Sequence, residues 1–411
     1  MSEASKTARK EPGPHSDRVG RALDLARNDQ ARIDTVNLSA AGVGAESRPA
    51  RRTVAIGDPQ APFETVLRVL DRAELLGEDG RIAPDAHLIS MGDHFDWGKR
   101  SERAYATESA LQLLSWLAVH DPSRITLILG NHDLARVCEL APFDEATFLE
   151  AQRDADRAYE SADPALVAAF RRRYPALPDP EALARDLATF TTAQRTLVVR
   201  LLRSGRFRVA AAPLDTVLCL HGAVATDDLT GIGVSPVDQN DARVVAAALN
   251  RALDTAVEAW AASFDEGALE SGMPPLDLGA LHRPGSTYGE GRGIFYQRPT
   301  HPLAARAELF VGPPRRRFDP RLLPIGLTQV VGHIRDKKCR ELLGAWTDHR
   351  RLEDGRIRHL VTDGRAVRYA FGMPPPSDHP RATILFIDAG MNFVTPERYP
   401  LLDLSREPME I

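Results

Sequence analysis

Five short apolar runs punctuate the chain: Thr53-Val54-Ala55-Ile56, His87-Leu88-Ile89-Ser90-Met91, Ile125-Thr126-Leu127-Ile128-Leu129, Thr216-Val217-Leu218-Cys219-Leu220 and Gln329-Val330-Val331. Runs this short and this continuously hydrophobic read as strands covered on both faces. Between the first three lie stretches with apolar residues at helical spacing. Glu64 to Leu76 carries Val66, Leu67, Val69, Leu70 and Leu75; Thr107 to Val119 carries Ala110, Leu111, Leu113, Leu114, Trp116 and Leu117. The alternation predicts an α/β fold with parallel pairing in the first third. Farther on, 145–160, 164–173, 180–188 and 191–204 predict helices, interrupted by Pro175, Pro178 and Pro180, and Asp241 to Phe264 predicts another. Between 340 and 395, apolar runs alternate with the turns Glu353-Asp354-Gly355 and Thr362-Asp363-Gly364, which predict β-hairpins.

This pattern divides the chain. Residues 1–50 read as a flexible N-terminal arm with one helix from Val19 to Ile33. Residues 51–411 read as one domain with a helical cap insertion at 134–207 and a second insertion at 237–290. At 411 residues and 43% hydrophobic, the chain can bury one sizeable core. The net charge of −5 argues against a dedicated nucleic-acid binder. The basic runs Arg315-Arg316-Arg317 and Arg335-Asp336-Lys337-Lys338 read as solvated loop or helix faces. Cys138, Cys219 and Cys339 are scattered and form no Cys-x-x-Cys pair, which fits a reducing, cytoplasmic compartment. No apolar run approaches the ~18 residues of a membrane span, and the N-terminus lacks an apolar secretory segment. No membrane partner is expected.

The chemistry sits where the apolar runs stop: Gly57-Asp58-Pro59-Gln60, Gly92-Asp93-His94-Phe95-Asp96, Gly130-Asn131-His132-Asp133, His221-Gly222 and Gly332-His333. Any one of these is ordinary, since Asp after a strand commonly caps a helix or forms a turn. Five in succession, each at a strand end, are what a metal site assembled from distant segments requires. Mixed oxygen and imidazole ligands suit a divalent ion that must hold both a phosphate oxygen and a water. Two such ions about 3.5–4 Å apart clamp the attacking and leaving oxygens of an in-line displacement. A carboxylate can bridge them and a neutral imidazole cannot, so Asp93 is the candidate bridge. Asp58 would serve one ion; Asn131, His221 and His333 would serve the other. His132 follows a ligand directly and is a candidate general acid, oriented by Asp96.

These motifs resemble the calcineurin-like metallophosphoesterase superfamily, whose signature is D-x-H, G-D-x-x-D, G-N-H-[DE], a single H and G-H. Within it the chain is similar to the phosphoprotein phosphatase branch, which includes protein Ser/Thr phosphatases and diadenosine tetraphosphatases. Gly293-Ile294-Phe295-Tyr296-Gln297-Arg298-Pro299 is similar to the segment with which that branch delivers a phosphate-binding arginine, here Arg298. Ile387-Asp388-Ala389-Gly390-Met391 is similar to its core-closing C-terminal strand. The resemblance implies a four-layer α/β/β/α sandwich with helical insertions. It implies a metal-dependent phosphoesterase that cleaves a phosphate monoester or phosphoanhydride by attack of a metal-bound water at a dinuclear site. The substrate would be a phosphorylated small molecule, a nucleotide or a phosphoprotein. Three positions depart from the pattern: Gln60 stands where the family has His, Arg335 replaces the second His of G-H-x-H, and Trp97 replaces the Arg of D-R-G, leaving Lys99 or Arg100 to supply charge. Asp58, Gln60 and Asp93 would give the first ion only oxygen donors, which points to Mn²⁺ first, with Mg²⁺, Fe or Zn²⁺ as alternatives. The same departures leave open a catalytically decayed metal-binding or regulatory module of the same fold.

Overall fold

In the computed structural model the apolar runs are strands whose ends differ by no more than one residue from the sequence pattern. The structure describes residues 16–33, 35–36, 38, 52–265, 267–286, 289–304, 306–348, 353–405 and 409. The strands of the first half are β1 (Arg52–Ile56), β2 (Ala86–Ser90), β3 (Ile125–Ile128), β4 (Phe207–Arg208), β5 (Ala210–Leu214) and β6 (Val217–Leu220). Then come four two-residue strands, β7 (His282–Arg283), β8 (Arg292–Gly293), β9 (Arg298–Pro299) and β10 (Arg317–Phe318). β11 (Thr328–Val331), β12 (Arg358–Thr362), β13 (Val367–Phe371), β14 (Ala382–Phe386) and β15 (Leu402–Asp403) follow.

One sheet has the order β15-β1-β2-β3-β4, and the second β13-β12-β14-β11-β6-β5. β1, β2, β3 and β4 are parallel, in registers such as Val54↔Leu88 and Leu88↔Ile125. In the second sheet β14, β11 and β6 are parallel, with Val330 opposite both Leu385 and Cys219. Successive side chains on a strand point to opposite faces, and the core divides accordingly. Ala55, Ile89 and Ile128 meet Val217, Cys219, Val330 and Leu385 in a layer between the sheets. Val54, Leu88, Leu127 and Leu218 face outward into the helical layers. This is the expected arrangement of two packed sheets flanked by helices.

α1 (Asp17–Arg32), α2 (Phe63–Arg72) and α3 (Arg103–Ala118) pack together outside the first sheet. α1 is the helix expected within the N-terminal arm; it buries Val19, Ala22 and Ala26. Residues 1–15, 34, 37 and 39–50 of that arm lie outside the described residues. α4 (Asn131–Ala135) opens the segment 134–207, which continues through α5 (Glu145–Ser161), α6 (Pro164–Arg173) and α7 (Thr192–Arg203). The helix expected at 180–188 is instead a single π turn, Ala182–Asp186. The chain cannot continue helically because Thr189 donates its N–H to the Asp96 carboxylate (2.8 Å) rather than to a preceding carbonyl. α8 (Thr226–Gly231) and α9 (Ala242–Ala261) cover the β6 side. The Thr362-Asp363-Gly364 turn makes the expected hairpin, β12 with β13. Glu353-Asp354-Gly355 does not, because Gly355 N donates to Ala389 O (2.8 Å) and ties that turn to the exit of β14.

Candidate active site

Every parallel strand of the two main sheets except the short β4 delivers a polar side chain at its carboxyl end, where open α/β sheets bind ligands. Asp58 follows β1, Asp93 and Asp96 follow β2, Asn131 and His132 follow β3, His221 follows β6, His333 follows β11 and Asp388 follows β14. Asp133 stitches two of these ends together: its carboxylate accepts from Gly130 N, Asp93 N and His94 N, each at 3.0 Å. His94 is therefore structural, its ring held between Asp133 and Ser90 Oγ. Asp93 (φ 57°), Asp96 (φ 60°) and His333 (φ 61°) all adopt left-handed backbone. Non-glycine residues reach that region at a cost, and such strain gathers at functional sites.

Asp93 Oδ2 lies 3.3 Å from His221 Nε2, which is itself 3.0 Å from Asn131 Oδ1. His221 Nδ1 donates to Met91 O (2.8 Å), so Nε2 faces the two oxygens. Burial works against a charged ring but Asp93 raises its pKa, and Nε2 offers a lone pair once its proton is displaced. His333 completes the group: one donor atom each from Asp93, His221 and His333 lie within 4.8 Å of one another. Asp58 Oδ1 lies 4.0 Å from His221 Nδ1, and the two Asp58 oxygens accept from His333 N at 3.1 and 2.9 Å. Gln60 lines the same cleft and donates Nε2 to Phe95 O (3.0 Å), leaving its amide oxygen as the lone-pair end.

The acidic groups crowd one another. Burial, together with Asp388 and Asp93, pushes the Asp58 carboxyl well above the usual carboxylate range, and burial also raises Asp388. Burial opposes the Asp93 charge too, but His221 and His132 beside it hold its carboxyl far below that range. His333 is lowered by burial and by the charges of Arg298 and His221. Three buried carboxylates this close favour a cation among them, and a buried acceptor pair aimed at an imidazole lone pair is a fit for a divalent ion.

His132 Nδ1 is 3.0 Å from Asp96 Oδ2. Burial works against the imidazolium, but Asp93 and Asp96 raise His132 to about 9. Asp96 is clamped in turn: Arg136 Nη2 lies 2.8 Å from Oδ2, and Thr189 Oγ1 donates to Oδ1 at 2.7 Å. Burial resists the Asp96 charge, and Arg136 and His132 hold it ionised.

The cleft above these residues has a volume of about 410 Å³. Pro178, Ala182, Arg185 and Leu187 of the segment 134–207 wall one side of it. Arg298 also lines it. Among the described residues no carboxylate lies within ion-pair reach of Arg298, and its Nε is buried without a hydrogen-bond partner. Apart from exposed Lys337, the basic runs are not the solvated faces that their composition suggested. Arg316, Arg317, Arg335 and Lys338 line the cleft, while Arg315 is buried against Asp227. Neither Lys99 nor Arg100 reaches the cleft; Arg100 pairs with Asp156 (3.2 Å) and Glu160. The positive charge near Trp97 comes from Arg185 and Arg335, and Arg335 is held by Asp354 (2.9 Å) and stacked on Phe393. Sequence reasoning missed Asp388, Arg136 and Thr189. For Asp388 a signal existed, because Ile384-Leu385-Phe386-Ile387 runs into Asp-Ala-Gly as the other apolar runs do.

A family model described as calcineurin-like phosphoesterase matches residues 51–241. Over that segment the chain is similar to this family. A catalytic subunit of protein phosphatase 2A from Dictyostelium discoideum is 30% identical to this chain over 88 residues, which is 21% of the chain. Shewanella-like protein phosphatase 1 of Plasmodium berghei (strain Anka) is 33% identical over 88 residues, again 21% of the chain. The chain spans only 24% of the length of each of these relatives. Among solved structures, a cold-active protein tyrosine phosphatase aligns over 86% of this chain and 74% of its own, at 13% identity and a TM-score of 0.33. A protein serine/threonine phosphatase from Saccharomyces cerevisiae aligns over 88% and 92%, at 12% identity and a TM-score of 0.30.

Proposed function

We propose that the protein is a two-cation phosphoesterase that hydrolyses a phosphate monoester or phosphoanhydride. The observation that carries this reading is the position of Asp93. It lies 3.3 Å from His221 Nε2, which also reaches Asn131, and close enough to Asp58 to disfavour that carboxylate's charge. Asp58, Gln60 and Asp93 would hold one ion, with Asp388 adding charge beside them; Asp93, Asn131, His221 and His333 would hold the second. Oxygen donors dominate the first set, so Mn²⁺ is the expected metal. When bound, such ions acidify a water near phosphorus and neutralise phosphoryl charge.

The remaining work falls to the chain's own side chains. Arg298 offers a guanidinium unclaimed by any described carboxylate to the phosphoryl oxygens. His132, charged and held by Asp96, protonates the leaving oxygen. Arg136 and Thr189 keep Asp96 in the orientation that aims His132. The segments 134–207 and 237–290 act as insertions on the 51–411 domain, the first narrowing the cleft toward small phosphorylated substrates. Among the described residues no helix is long and apolar enough to cross a membrane. Three buried free thiols, Cys138, Cys219 and Cys339, suit a reducing cytoplasmic setting.

The test is an assay of the Mn²⁺-loaded protein on p-nitrophenyl phosphate, a phosphopeptide and diadenosine tetraphosphate, with Asp93→Asn alongside. Turnover of at least one substrate, lost by several orders of magnitude in Asp93→Asn, supports the proposal. Bound metal with no turnover of any of them overturns it in favour of a decayed binding module.

A further inference from the structure

The triplet Arg315-Arg316-Arg317 has no part in the proposed chemistry, yet the fold carries it to the cleft. Arg315 is the anchor: it is buried and its guanidinium engages Asp227 through both Nη atoms. That contact fixes the next two residues against the segment bearing Arg298. Arg298 N donates to Arg316 O (2.8 Å), and β9 pairs with β10 in parallel register, Arg298↔Arg317. Arg298 and Arg317 are thus direct neighbours across a strand pair, about 4.8 Å apart in the ladder direction. Like charges placed opposite one another are destabilising. Burial, with Arg316 and Arg317 nearby, accordingly depresses the Arg298 guanidinium below its ordinary value, although Glu290 and Asp186 oppose this.

The fold retains this crowding in the wall of a cleft that Asp58, Asp93 and His333 also line. Arg316 reaches Glu290 through Nη2, and Arg317 contacts Glu308 through Nε (2.9 Å). Each contact uses one nitrogen of a fork that presents five N–H donors. Of the other acids lining the cleft near these residues, Asp186 is engaged by Arg185, and Glu139 accepts from Tyr296 Oη (3.0 Å) and Gly285 N (3.1 Å).

We propose that Arg316 and Arg317 form a second anion subsite beside the Arg298 phosphate site, taking a further phosphoryl group carried by the same substrate. This rests on the phosphoesterase reading. It narrows the substrate class to compounds with at least two phosphoryl groups, either contiguous in an anhydride or separate on one small scaffold. The cleft volume falls in the range of small-molecule sites, and arginine forks are suited to phosphate oxygens.

The experiment compares matched ligands on the full-length Mn²⁺-loaded protein: AMP against ADP, and fructose 6-phosphate against fructose 1,6-bisphosphate. Each serves as a competitor of p-nitrophenyl phosphate hydrolysis and as a titrant in calorimetry. The subsite predicts that one two-phosphate ligand, or both, binds roughly tenfold or more tightly than its one-phosphate partner. In Arg317→Gln and Arg316→Gln that ratio should fall toward unity, whereas Arg298→Gln should weaken one- and two-phosphate ligands alike. An advantage for ADP alone identifies an anhydride, and one for the bisphosphate alone identifies separated esters. Equal affinities within both pairs, or ratios unchanged in the two variants, would overturn the subsite. Calorimetry reads the ratios without turnover, so an inactive protein would sink the hydrolase reading and still decide the subsite.

Discussion

Alanine at Gly332 would place a Cβ 2.0 Å from Asp58 Oδ1. Real Cβ atoms essentially never approach closer than 3.0 Å, so in a close-packed interior the carboxylate must retreat by about 1 Å. It is not free to do so, because it is buried and both oxygens accept from His333 N. Weakening a hydrogen bond to a buried charge costs roughly 1.5–3 kcal/mol. If Asp58 is a ligand, disturbing it should weaken metal affinity by about 10- to 100-fold, the range seen when ligand supports are lost. A misplacement of about 1 Å also costs on the order of 10²-fold in rate. The assay is calorimetric titration of metal-free Gly332→Ala with Mn²⁺, followed by turnover of p-nitrophenyl phosphate at saturating metal. Gly231→Ala is the matched control, since nothing lies within 4 Å of its added Cβ. Wild-type Mn²⁺ affinity and rate in a folded Gly332→Ala protein would refute the reasoning, and with it the placement of Asp58 on an ion.

Three further outcomes are expected. His132→Ala should slow phenyl phosphate hydrolysis by about 10²–10⁴-fold and p-nitrophenyl phosphate far less, since nitrophenolate needs little protonation; equal losses would remove the acid role. In the metal-free protein His132 should titrate near 9 by NMR, with Asp96→Asn lowering its midpoint. A raised folded value means its stabilisation is complete below about 6.5 and lost as pH climbs through about 9, so urea unfolding should show stability declining across that window; a midpoint near 6.5 would contradict this. Trp116→Ala should cost about 3–5 kcal/mol in urea unfolding, because the side chain is fully buried and its Nε1 donates to Gly80 O (3.2 Å); a loss under about 1 kcal/mol would mean the α3 contact is not part of the cooperative core.

The strands and the residues at their ends were legible because two-sided burial leaves an unmistakable local mark. Ile125 to Leu129 reads the same in isolation as in the sheet, and its exit into Gly-Asn-His-Asp follows. What depends on distant chain was not legible. Thr189 is an ordinary residue until the segment 134–207 folds back and brings its N–H and hydroxyl to Asp96. That contact also overrides the helical pattern of 180–188. Arg136 looks like one more basic residue on α4's flank, and only the tertiary fold turns it inward. Arg316 and Arg317 show the limit most clearly, since a solvated charge run and a cleft wall have the same composition. The register of β10 on β9 decides between them, and nothing local encodes it.

The central claim is that Asp93 is shared by two cations. Anomalous diffraction from Mn²⁺-loaded crystals tests it directly. The account predicts two peaks flanking Asp93, one against Asp58 and Gln60 and one against Asn131, His221 and His333. A single peak, or none among these side chains at saturating Mn²⁺, would contradict it.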